Sequence, residues 1–201
     1  MINKKSIKIL VCCHKQDVMA IQDPYMPIHV GKALHPEIDL GIQGDNTGDN
    51  ISEKNGSYCE LTGMYWAWKN LKDVDIIGLC HYRRYFDFHG QVPSWSPNSE
   101  FIASKISALD LSVPQNVISK IDRGVAYIAN PIVFRYALAI DYCYKHISDD
   151  FRVLEQIVNS TQPEYIRNAF RFIMHQNNKL SPCNMFLMTK IDFDNYCEWL
   201  F

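Results

Sequence analysis

The sequence predicts one α/β domain spanning residues 1–201, a layered sandwich with a mostly parallel central sheet flanked by helices. Three observations carry that expectation. Apolar runs of strand length, at residues 7–13, 76–80 and 184–188, alternate with segments whose apolar residues recur at helical spacing. The first two runs are apolar on both parities, as in strands covered on both faces. A length of 201 residues suits one well-buried core and is short for two.

Residues 7–13 form the first expected strand, which ends at His14 and Lys15. Residues 23–27 read as a loop, because Pro27 biases Met26 away from helix, and the following Ile28-His29-Val30-Gly31 has no decisive pattern. The stretch GIQGDNTGDNISEKNG at 41–56 is rich in Gly, Asn and Asp and reads as a long loop. Ser57 and Glu60 make an S-x-x-E capping box. Leu61, Met64, Tyr65, Trp68 and Leu71 follow at helical spacing, so a helix is expected over 58–72. It feeds into DVDIIGLCHYRRYF at 73–86, where an apolar strand stops abruptly at His81, Tyr82, Arg83, Arg84 and Tyr85. Gly78 inside that strand allows a close approach.

Residues 87–112 are irregular, with a short helix expected over 101–106. Ser112 and Gln115, with Pro114 between them, open a second capped helix to 121. A strand is expected at 125–129, helices at 135–146 and 151–158, and a helix from the Thr161–Glu164 cap to 175. Residues 184–188 form the last strand and 192–201 the last helix. Its end, Trp199-Leu200-Phe201, is apolar, which leads us to expect that the natural chain continues.

With 47% hydrophobic and 21% charged residues the chain is not disordered, and a net charge of −2 argues against a general nucleic-acid binder. No window approaches the roughly 20 apolar residues of a membrane span, and the N-terminus is no persuasive signal peptide. A soluble, cytoplasmic protein is the expectation. Seven cysteines without framework spacing fit a reducing compartment, and Cys12 and Cys13 should point to opposite faces as buried thiols.

P-loop, dinucleotide-binding, G-x-S-x-G and zincin motifs are missing. What remains is a local anion site. Guanidinium groups at the carboxyl end of a central strand suit paired oxygens of phosphate or carboxylate, and open α/β sheets bind ligands there. Arg83, Arg84 and His81 form this cluster, and His14 and Lys15 can join it from the neighbouring strand. Adjacent side chains on an extended segment diverge, so one Arg faces the anion. In the Gly-rich loop Asp45, Asp49, Asn46 and Asn50 suit a hard cation or sugar hydroxyls, and equally suit turns. Glu60 is a capping acid or a base, Asn184 a buried amide, and His146 and His175 stand alone on helices.

His14-Lys15, PIHVG at 27–31, GDNTGDNISEKN at 44–55, YCELTGMYWAWKN at 58–70, IGLCHYRRYF at 77–86, and NMF with YCEWLF at the end together resemble the bacterial family catalogued as domain of unknown function 4422. The likeness runs over nearly the whole chain and leaves 87–112 without a recognised pattern. It implies a GT-A-like (Rossmann-like) fold and a glycosyltransferase of capsule, O-antigen or exopolysaccharide assembly. A characterised branch of the family uses UDP-galactofuranose. The implied partners are a UDP-sugar donor and a lipid-linked glycan acceptor at the inner face of the cytoplasmic membrane, with peripheral membrane association.

Many GT-A enzymes carry Asp-x-Asp at the strand end that HYRRYF occupies here, and from His81 onward the first carboxylate is Asp87. The roles that follow are donor diphosphate binding by His14, Lys15, His81, Arg83 and Arg84, and sugar or acceptor binding by Asn50, Tyr65, Tyr85 and Asn184. The base is one of Asp45, Asp49 and Glu60, and a divalent cation (Mg or Mn) on Asp45 and Asp49 is left open. The rival readings are a non-catalytic nucleotide-sugar or glycan-binding module of a larger assembly protein, and a metal-dependent hydrolase using the Asp45–Asp49 loop.

Overall fold

A computed structural model describes residues 5–91 and 106–201. Two compact units are present, one running to Ile128 and resuming with Asn184–Phe201, the other Ala129–Cys183.

The first unit is a six-stranded sheet in the order β3-β2-β1-β4-β8-β5. Its strands are β1 (Ile7–Cys13), β2 (Tyr25–His29), β3 (Gln43–Gly44), β4 (Ile76–His81), β5 (Tyr127–Ile128) and β8 (Phe186–Thr189). β1 pairs in parallel with both β2 and β4, and β2 with β3. β8 lies antiparallel to β4 and to β5, so it alone runs against the rest. Helix α1 (Asn55–Tyr58) leads to α2 (Leu61–Asn70), α3 is Gln115–Ile121, and α7 (Lys190–Leu200) closes the chain. The mostly parallel α/β sandwich expected from the sequence is thus present.

The reason for the layering is the parity of the strands. Leu10, Cys12, Ile28, Ile77, Leu79 and Phe186 form one core with Met64, Trp66 and Ala67 of α2 and Phe193 and Cys197 of α7. The alternate residues Ile9, Val11 and Cys80 are equally buried, and α3, which buries Val117 and Ile121, packs against β8. All seven cysteines are free thiols.

Three local expectations change. β2 begins at Tyr25, inside the segment expected to be a loop, and includes Pro27 paired with Val11. Val30 N–H donates to Cys13 and Asp45 N–H to His29, so odd residues of β2 face β3. β3 pairs only from Ile28 onward, so the N–H that Pro27 lacks removes no ladder bond. The helix expected from 58 starts at Leu61, after Cys59 takes φ 49°. No side chain caps it: the Glu60 carboxylate of the expected box accepts from Asn184 instead, a tertiary contact in place of the local one. Likewise α3 carries no side-chain cap, and the Ser112 hydroxyl meets His89 instead. Residues 101–105 of the expected short helix lie outside the described residues.

In the second unit β6 (Ile132–Val133) and β7 (Lys179–Leu180) pair antiparallel, and α4 (Leu138–Lys145), α5 (Ser148–Thr161) and α6 (Glu164–Arg171) follow β6, with a π turn over Phe172–Gln176. Phe151 is its buried centre, against the rings of Tyr142, Phe170 and His175. Among the described residues no helix is long and apolar enough to cross a membrane.

A Cβ on Gly78 would lie 2.8 Å from Leu187 Cδ1 and 2.9 Å from the Phe186 carbonyl oxygen. The second neighbour is backbone of the paired strand and cannot swing aside. Gly78→Ala should therefore lower stability by about 1–3 kcal/mol in urea unfolding. An unchanged midpoint would show that β8 can move away from β4.

Candidate active site at the strand ends

The sheet reverses its order between β1 and β4, and the crevice outside the carboxyl ends at such a switch point is where open α/β sheets bind ligands. β1 delivers His14 and Lys15 there, β2 delivers His29, and β4 delivers His81 to Arg84. The registers Cys13↔His29 and Cys12↔His81 place these residues on neighbouring rungs. The parallel ladder continues one step beyond β4, because Tyr82 N–H donates to the Cys12 carbonyl at 3.1 Å.

Beyond it the chain reverses. His81 and Arg84 exchange backbone bonds, N–H to carbonyl, at 3.1 and 2.8 Å, so Tyr82 and Arg83 sit at the tip of a tight turn. The Arg83 guanidinium lies 4.9 Å from the Tyr82 ring, and the His14 ring meets the same phenol edge-on at 5.6 Å. His14, Tyr82 and Arg83 are thereby one cluster. Among the described residues, Arg83 Nε is buried without a hydrogen-bond partner, and so are Tyr82 Oη and His29 Nε2. Arg84 and Lys15 are exposed, and among the described residues no carboxylate pairs with Arg83, Arg84, Lys15 or His14.

The electrostatics agree. The pKa of His14 is lowered, first by desolvation and then by the positive charges of Lys15, Arg83 and His35. That of His29 is lowered by burial, with Lys32, His35 and His14 adding to the effect and Asp45 opposing it. Burial is the larger cause in both, and the smaller contributions of Lys15 and Arg83 at His14 and of Lys32 at His29 are positive charges on a chain whose net charge is −2. Composition and motifs did not single out His29, Lys32 or His35, and Tyr82 stood in the strand-end cluster without a role of its own. The signal available in sequence was that His29 closes a short apolar run, as His14 and His81 do.

Asp45 is fully buried, and its carboxylate accepts four bonds: from Gly31 N–H at 2.9 Å, Lys32 N–H at 3.1 Å, Thr62 Oγ1 at 2.6 Å and the Ser52 hydroxyl. It joins the end of β2, the loop after β3 and the start of α2. The Lys32 ammonium donates to the Pro36 and Ile38 carbonyls and fastens the next loop. Asp49 lies elsewhere: its carboxylate accepts from Tyr65 Oη at 3.1 Å, while its backbone exchanges bonds with the Asn70 amide. Thr62 and Asn70 are separated along α2 by about 12 Å at 1.5 Å per residue, so the two aspartates serve opposite ends of the helix. The two carboxylates are engaged by different partners, Asp45 by Gly31, Lys32, Ser52 and Thr62 and Asp49 by Tyr65. Among the described residues no group of three or more His, Cys, Asp or Glu is arranged to hold a metal.

Glu60 is placed differently. It precedes α2, is half-buried, and accepts from Asn184 Nδ2 at 3.1 Å. The β4–β8 register ends with Leu79 opposite Phe186, so β8 begins toward the end of β4 that carries His81, and Asn184, two residues before β8, brings the Glu60–Asn184 pair to that end of the sheet. Cys59 beside Glu60, together with Cys183 and Asn184, has positive φ (49°, 72° and 48°). Such conformations in residues other than glycine cost roughly 1–3 kcal/mol each and concentrate at functional sites. The remaining expected residues are not exposed at this edge. Tyr85 Oη accepts from Ala20 N–H at 3.1 Å against the Tyr25 ring. Asn50 closes a local turn on Gly48 and Ser52. Tyr65 packs with Trp68 and Phe201.

Asp45→Ala should destabilise the protein by about 3 kcal/mol or more in urea unfolding, since four buried donors lose a charged acceptor. A change within roughly 0.5 kcal/mol would contradict the role of Asp45 as a joint. Stability should also fall as pH drops below the ordinary histidine value of 6.5, because the unfolded chain then binds protons that His14 and His29 resist. His29→Gln should flatten this acid slope between pH about 7.5 and 5.5, and an unaltered slope would exclude His29 as a contributor.

The family model described as Domain of unknown function (DUF4422) matches residues 8–201. Among solved structures, the chain is similar to the apo structure of the WbbM bifunctional glycosyltransferase, with 29% identity and a TM-score of 0.77. That likeness covers 98% of this chain and 36% of the other, so the chain spans about a third of its structural relative. No curated protein matches. The family model runs from β1 to the last residue, and the chain belongs to the DUF4422 family.

Proposed function

We propose that the chain is a glycosyltransferase domain that transfers a sugar from a UDP-sugar to a lipid-linked glycan acceptor in bacterial surface-polysaccharide assembly. Galactofuranose is the first donor sugar to test. The observation that carries the reading is Arg83, whose Nε is buried without a partner at the switch point between β1 and β4. The family and the likeness to a glycosyltransferase support it. In this reading the second unit is an insertion into one glycosyltransferase domain, working in the cytoplasm at the membrane surface.

The chemistry follows from charge. As the bond between the anomeric carbon and the diphosphate oxygen breaks, its electron pair passes to the diphosphate, and preorganised cations facing that oxygen lower the barrier. Arg83 is the principal donor. His14, Lys15, His81 and Arg84 surround it, and the field of these groups replaces a cation shared by Asp45 and Asp49. Glu60, oriented by Asn184, takes the proton of the acceptor hydroxyl as the new glycosidic bond forms. A non-catalytic nucleotide-sugar-binding module is the rival, favoured by the 36% share of a bifunctional relative. The two differ in whether UDP is released.

Arg83→Ala should reduce UDP release in the presence of acceptor by about 10²–10³-fold with unchanged circular dichroism, and the exposed Arg84→Ala should cost less. Near-normal rates in both variants would sink the diphosphate role. Glu60→Gln should lower kcat by about 10²–10⁴-fold, and an active Glu60→Gln enzyme would remove it as the base. Binding of UDP-sugars without UDP release from the wild-type protein would favour the module.

A further inference from the structure

The three orphaned atoms at the strand ends are not equivalent. Arg83 as a residue is half-buried, whereas His29 is 2% and Tyr82 5% exposed. In a folded protein a buried hydroxyl or imidazole nitrogen normally has a partner, and leaving it unpaired is destabilising. Both residues stand at the same height in the sheet. His29 pairs with Cys13 across β1 and β2, and Tyr82 follows the Cys12↔His81 pair across β1 and β4. One strand, β1, lies between them, so two inter-strand spacings put their backbones about 10 Å apart. His14 lies between, touching the Tyr82 ring and acting electrostatically on His29.

We infer that His29 Nε2 and Tyr82 Oη are ligand-contacting groups of this edge, left unpaired by the fold and completed by the oxygens of a bound nucleoside diphosphate. A span of about 10 Å suits a ligand of nucleotide size. Among the described residues, the fixed charges acting on His14 and His29 are those of Lys15, Arg83 and Lys32, opposed by Asp45, whose carboxylate is already taken up by four donors, so an anionic ligand is favoured over a cation. The inference rests on the proposed donor site and adds two residues to it. It also has a consequence that a packing role lacks: removing either atom should weaken the ligand without weakening the fold.

The test uses the intact chain with UDP and inorganic pyrophosphate as probes, by calorimetric titration, alongside thermal unfolding without ligand. Tyr82→Phe removes only the hydroxyl. It should leave the unfolding midpoint unchanged or raised and weaken UDP and pyrophosphate by roughly tenfold each. His29→Leu should weaken both probes similarly, and His29→Gln, whose amide nitrogen can take the place of Nε2, should recover most of the affinity. A lowered midpoint in Tyr82→Phe would show that the hydroxyl has a partner in the free protein and overturn the inference. Unchanged affinity in Tyr82→Phe and His29→Leu, with affinity lost in Arg83→Ala, would overturn it while leaving the donor site standing. Failure of the wild-type chain to bind either probe would overturn both.

Discussion

The buried carboxylate of Asp45 is the joint on which the candidate site depends. Its four bonds reach Gly31 and Lys32 after β2, Ser52 in the following loop and Thr62 in the first turn of α2. These segments are distant in sequence, and each has backbone or hydroxyl donors that would otherwise be stranded under the sheet edge. Because one anion satisfies them all, the end of β2 and the start of α2 are fixed relative to each other. His29 and Glu60, which flank those two segments, inherit fixed positions. A carboxylate saturated in this way has no lone pair left for a cation or an acceptor proton. The buried Asp45 therefore builds the site, whereas Glu60 is half-buried and accepts a bond from Asn184.

The second constraint is the absence of counter-charge. Lys8, Lys145, Arg152 and Lys190 all find aspartates elsewhere on the protein. At the strand ends Arg83, Arg84 and Lys15 find none among the described residues, and the histidines beside them resist protonation. Backbone strain at Cys59, Cys183 and Asn184 flanks the same edge. An arrangement that concentrates like charges, orphaned donors and left-handed residues is unfavourable to folding, and a bound polyanion would relieve the first two of these at once.

Much of this was legible in the sequence. The doubly apolar β1 and β4, the helical stripe of α2 and the abrupt change at His81 gave the layered fold, the direction of the sheet and the edge where chemistry should lie. The carboxylates were less legible. Asp45 and Asp49 look alike as neighbours in a Gly- and Asn-rich loop, and only the path of the chain decides that one enters the core while the other reaches the far end of α2. Glu60 looked like a helix cap because Ser57 stands three residues before it, yet its carboxylate accepts from Asn184 and the helix begins later. His29 was obscured because the residues before it, with Pro24 and Pro27, read as a loop and Ile28-His29-Val30-Gly31 had no decisive pattern, whereas the short extent of β3 leaves room for Pro27 within β2.

The central claim is positional: positive side chains at the ends of β1 and β4 receive the diphosphate of a nucleotide-sugar. A crystal structure of the protein with UDP bound tests it most directly. The account predicts the diphosphate within hydrogen-bonding distance of Arg83 in the crevice between His14 and the Tyr82–Arg83 turn. A diphosphate bound instead beside Asp49 and Tyr65, with Arg83 still unpaired, would contradict it.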